Sequence, residues 1–132
     1  MRLLLAASAL AALTFAAVPG YAHHSFAAEF DSGKPIKLAG TVTKVEWTNP
    51  HAWIYIDAMD ESGKVMNWAW ELGSPTSLVR LGWTRNLLKV GTAVTFEGSR
   101  ARDGGNTANA RSVTLNATGQ KLLGASSQGQ TQ

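Results

Sequence analysis

From Leu38 onward, apolar and polar residues alternate with the short period of β-strands, and five such stretches surround one short helix. In the first, Leu38, Gly40 and Val42 share one face while Val45 and Trp47 fall on the other, so the apolar phase switches between Val42 and Val45. A phase switch in a glycine-containing strand predicts a bulge or a sharp bend. Thr48-Asn49-Pro50 then predicts a turn, because Asn and Pro favour turns and a residue before proline is biased away from the α region. The second stretch, His51 to Ala58, points Ile54, Ile56 and Ala58 one way and His51, Trp53, Tyr55 and Asp57 the other. Asp60-Glu61-Ser62-Gly63 reads as a hairpin turn. The third, Val65 to Leu72, sets Met66, Trp68, Trp70 and Leu72 against Val65, Asn67, Ala69 and Glu71. If the aliphatic and Trp-rich faces share one core, partners match in parity, and such registers bring His51 beside or diagonal to Glu71.

Ser74-Pro75 is an N-cap followed by proline at the first helical position, and Leu78, Val79 and Leu81 carry a short helix to Gly82. Ala93 to Arg100 and Ala110 to Leu115 complete the strands, with Val94, Phe96, Val113 and Leu115 apolar. Three strands, a helix and two strands, the first strand long and bent, predict an all-β fold with one short helix: a five-stranded OB-like barrel. A sandwich wants about seven strands. A ferredoxin-like fold would need a helix after the first strand, where only Thr48-Asn49-Pro50 stands.

The segments outside this pattern carry other signals. Arg2 precedes an apolar run from Leu3 to Val18, followed by Pro19-Gly20-Tyr21-Ala22 with small residues suited to a cut after Ala22. Residues 1–22 therefore read as a secretory signal peptide, too short for the roughly 20 apolar residues of a membrane span. Export, with a periplasmic destination and no membrane anchor after cleavage, is the expectation. Removing 22 of 132 residues leaves 110 and, with Arg2 gone, lowers the net charge from +3 to +2. Residues 23–37 lack sustained periodicity and read as an N-terminal arm that Phe26 or Phe30 could pin to the barrel at 38–123. Residues 124–132, rich in Gly, Ser and Gln, read as a disordered tail.

There is no cysteine, which excludes disulfides, thiolate metal sites and cysteine nucleophiles. Metal chemistry would fall to nitrogen and oxygen. Cleavage after Ala22 would make His23 the first residue, able to offer its α-amine and its ring to one ion. His51 could add a second imidazole, giving an N3 set suited to copper, with His24 as auxiliary. Glu71 could orient His51 or supply an oxygen. This resembles the histidine brace of lytic polysaccharide monooxygenases and small periplasmic copper carriers, through an N-terminal and an internal histidine alone. A purely local chelate through His24 and the intervening amide is the competing geometry.

The strings HHSFAAEFD, GTVTKVEWTNPHAWIYIDAMDESGKV and WELGSPTSLVRLGW resemble a family of small exported bacterial proteins known only as a domain of unknown function. The similarity runs over roughly Ala22 to Gln120. It implies an exported β-rich domain and no particular activity.

A metal-free alternative is an envelope binding module whose outward Trp53 and Tyr55, with Asn67 across from them, take a small molecule, a sugar or a protein partner. Nucleic acid is not expected as a partner: the mature charge is small, and the most basic stretch, Arg80, Arg85, Lys89, Arg100, Arg102 and Arg111, is scattered. No serine-hydrolase elbow, zinc-protease helix or phosphate loop is present. Glu29 and Asp31 read as solvated loop carboxylates.

Overall fold

The computed structural model describes residues 25–128 of the 132. Residues 1–22, read from the sequence as a signal peptide, and both arm histidines, His23 and His24, lie outside the described residues. The order is α1 (Phe26–Glu29), β1 (Phe30–Glu46), β2 (Trp53–Met59), β3 (Val65–Glu71), α2 (Pro75–Arg80), β4 (Ala93–Ala101), β5 (Thr107–Leu115) and β6 (Lys121–Leu123).

β1 lies between β2 and β4, β4 pairs β5, and a parallel β3–β5 ladder closes five strands into a ring, with β6 added beside β5. This is an OB-like barrel. The phase switch in the sequence is a register shift between Val42 and Lys44, which lets β1 bend around the barrel. Gly40 sits on that bend, where a Cβ would collide with the carbonyl oxygen of Asp57. The expected parity holds: Ile54 pairs Trp70, Ile56 pairs Trp68 and Ala58 pairs Met66. These residues, with Val42, Leu72, Leu78, Val94, Phe96 and Val113, form the core, and Trp70 stacks on Phe96 with ring centroids 4.8 Å apart. α2 begins as its sequence dictates, the Ser74 hydroxyl accepting from the Ser77 amide at 3.2 Å with Pro75 in the first turn.

The arm and the tail differ most from the sequence pattern. The arm is not aperiodic throughout: residues 26–29 form a helical turn, and β1 begins at Phe30, eight residues before Leu38. The cause is one-sided pairing. Pro35 to Thr41 pair continuously with β4, but a register irregularity between Phe30 and Pro35 leaves residues 31–34 without ladder partners, so no alternation marks them. Glu29 and Asp31 accordingly lie on α1 and β1, not on a loop.

The tail differs too. Residues 124–128 form a strap along the barrel, with the Gly124 amide donating to Arg111 O at 2.9 Å and Gly124 O accepting from the Gly73 amide at 2.9 Å. Its small residues permit close approach: a Cβ on Gly73 would meet Ala125, and one on Gly124 would strike the carbonyl of Ala110. A composition that suggests disorder here serves backbone contact.

Candidate metal site at the barrel seam

His51 and Glu71 are diagonal neighbours where β2, β3 and β5 come together. The turn before β2, with a cis Asn49–Pro50 bond, brings the chain to His51, whose carbonyl accepts from the Thr48 hydroxyl at 3.1 Å. The His51 ring then lies against the last residue of the Trp-rich face, with Nδ1 at 3.0 Å from Leu72 O. A carbonyl can only accept, so Nδ1 carries a proton and Nε2 is the ring nitrogen left to act as a ligand. This is the tautomer that a metal ligand requires.

Glu71 pairs across to Trp53 and, through the parallel seam, to Asn109. His51, two residues before Trp53, is therefore its diagonal neighbour, as parity requires. Glu71 is only 6% exposed although it lies on the outward face of β3. Asn109 Nδ2 donates to its Oε1 at 3.1 Å, and the Ser126 hydroxyl of the strap donates to Asn109 Oδ1 at 2.5 Å. Burial pushes the Glu71 pKa above the usual carboxylate range, assisted by the Glu29 carboxylate and opposed by the charge of His51 and the bond from Asn109. Glu29 on α1 and Trp53, the cross-strand partner of Glu71, line one cavity, so the start of the described arm lies in this neighbourhood. Among the described residues no group of three or more His, Cys, Asp or Glu side chains is assembled to hold a metal. His51 and Glu71 are the only members of the set expected from the sequence that lie among the described residues.

The residues expected to form an aromatic ligand face are not brought into one free surface. Asn67 donates to Asp57 Oδ1 at 2.8 Å and to the Thr43 hydroxyl at 3.1 Å. The Tyr55 hydroxyl donates to Glu46 Oε2 at 3.3 Å, and Lys44 sits over its ring at 5.2 Å. Trp53 alone lines an open cavity, of about 410 Å³, with Glu29, Phe30, Arg102, Asp103 and Thr107. Sequence reasoning missed Asn109 and Ser126, because neither neutral side chain signals chemistry until the seam and the strap bring them to Glu71.

The fold and the seam define a small OB-like barrel with a buried carboxylate diagonal to a histidine at its closure. The chain belongs to a family of unknown function, DUF6152, whose model matches residues 10–110. No protein of curated function matches the chain. Among solved structures it is similar to the N-terminal domain of the PriB protein from Thermoanaerobacter tencongensis, a dimeric structure. The two share 20% identity over 63% of this chain and 96% of that domain, with a TM-score of 0.42.

Proposed function

We propose that this is an exported, periplasmic protein that binds a copper ion at the barrel seam through His51 Nε2 and the arm histidines, with Glu71 as the supporting carboxylate. The hydrogen bond from His51 Nδ1 to Leu72 O carries this reading, since it presets the ligand tautomer without a metal present. Two further features support it. Glu29 shares a cavity with Trp53, the partner of Glu71, so the arm enters the site's neighbourhood, and His23 and His24 precede the first described residue by two positions and one. A span of two residues reaches at most about 7 Å. Cleavage after Ala22 would free the α-amine of His23, and imidazole nitrogen with amine nitrogen is a donor set that favours copper(II).

The test pairs mass spectrometry of the exported protein with copper(II) titration of that form, of His23→Ala, of His51→Ala, and of a form with one added N-terminal Gly. Loss of binding in all three altered forms supports the seam site. Retention in His51→Ala would reduce it to a local N-terminal chelate, and a mature start other than His23 would remove the amine.

The cavity on Trp53 favours a second, metal-free reading, in which it takes a small molecule or sugar. That reading gains ground if copper binding is absent and Trp53→Leu abolishes retention on immobilised sugars.

A further inference from the structure

The basic stretch of the sequence divides in the folded protein. Arg100 lies over the Trp68 ring and donates to Gly104 O, and Arg102 donates to Ala27 O and approaches Asp31. Arg85 and Lys89 behave differently. They lie in the segment between α2 and β4 and, with Val45, Trp47, Asn86, Leu88 and Val90, line an open pocket of about 360 Å³. Among the described residues, the side chains of Trp47, Arg85, Asn86 and Lys89 make no hydrogen bond or ion pair. No carboxylate lines the pocket, and the neighbouring Glu46 is engaged by Lys44 and Tyr55.

The pocket is held in shape rather than left to a loose loop. Leu88 is buried in the core, the Gly91 amide donates to Val42 O at 2.8 Å, and Thr92 O accepts from the Val42 amide at 2.9 Å. Two cations, an amide and an indole thus line one pocket together with the apolar Val45, Leu88 and Val90. The pocket is of small-ligand size, where mostly apolar linings with a few polar groups are the rule.

We propose that this pocket binds a small aromatic dianion, its charges on Arg85 and Lys89 and its ring against Trp47. Arg and Lys both suit phosphate or carboxylate oxygens, Arg through its planar fork. The indole face suits an offset-stacked ring. The site shares no residue with the His51–Glu71 pair and does not depend on metal.

Calorimetric titration of the protein with phenyl phosphate at pH 7.5, without added metal, tests this. Saturable binding is expected, with Arg85→Gln/Lys89→Gln weakening it at least about tenfold. Trp47→Leu, which keeps an apolar side chain against the core, should weaken it roughly threefold to tenfold. Asn86→Asp touches only an exposed position and should abolish it, so the outcome does not depend on the stability of the Trp47 variant. Inorganic phosphate should bind more weakly than phenyl phosphate. No saturable binding up to about 10 mM would overturn the proposal. So would equal weakening by Lys34→Gln/Lys64→Gln, which removes two exposed cations elsewhere, or equal binding of inorganic phosphate together with an unaffected Trp47→Leu.

Discussion

Glu97 and Glu71 are the same side chain on neighbouring parts of one barrel, and the barrel treats them in opposite ways. Glu97 on β4 meets Lys37 at 3.2 Å, Lys121 at 2.8 Å and the Ser112 hydroxyl at 3.1 Å, so β1, β4, β5 and β6 converge on one carboxylate. The bonds from Lys121, Lys37 and Ser112 hold its pKa down to about 2. Glu71 is enclosed, accepts from a neutral amide, and has its pKa raised by burial, with the Glu29 charge adding to the rise. A carboxylate surrounded by ammonium groups ties strands together. One buried beside an imidazole without a lysine or arginine partner costs stability when ionised, and such groups concentrate at functional sites.

Four experiments would break or sharpen this contrast. The largest effect is expected from His51→Ala, which removes a proposed ligand and should lower copper affinity by more than about 100-fold, beyond what loss of a supporting residue does. Glu97→Gln in the same titration should leave affinity unchanged, and a matching loss there would erase the distinction. Glu71→Gln comes next. It should weaken copper binding by about 10- to 100-fold, while the metal-free protein melts several degrees higher at neutral pH because the buried charge is gone.

The third experiment reads thermal unfolding against pH, where the two glutamates carry opposite signs. The folded pKa of Glu97 is depressed, so its stabilisation is present above the unfolded value of about 4.3 and is lost as pH falls toward about 2. The folded pKa of Glu71 is raised, so its contribution favours the fold below the unfolded value and is lost as pH rises through the folded one. The advantage of Glu71→Gln over the parent should therefore shrink on acidification, while the deficit of Glu97→Gln should also shrink, from the other side. A Glu71→Gln advantage that is independent of pH would refute burial of the charge as its cause. The smallest effect is expected from Lys37→Met, whose side chain is 69% exposed. Exposed pairs contribute about 0.2–1 kcal/mol, so its melting point should drop less than that of Lys121→Met, which holds the shorter bond.

Much of the barrel was legible because strand parity is a strict constraint. The shift of phase between Val42 and Val45 located the bulge, and matching Ile54 and Ile56 with Trp70 and Trp68 placed His51 diagonal to Glu71. What escaped the pattern was set by neighbours from elsewhere in the chain. Residues 31–34 have no ladder partners to impose alternation, and the strap is built from residues too small to register as packing. Tyr55 and Asn67 looked available from their own strands, but Lys44, Glu46 and Thr43 of β1 reach them from the adjacent one. The burial of Glu71 was equally hidden, since it follows from the β3–β5 seam.

That seam also dictates when the site can exist. Glu71 and Asn109 are 38 residues apart, and their strands join through three parallel pairs, Ala69–Thr107, Trp70–Ala108 and Glu71–Asn109. Contacts of long sequence separation close late in folding, because the entropy of the intervening loop is lost before the contact is gained. The hairpin carrying His51 and Glu71 can form locally, but the enclosure that sets the chemistry of Glu71 arrives only with ring closure. Acquisition of the proposed metal-binding state would therefore report completed folding, and an unfinished chain would present His51 near an ordinary solvated carboxylate.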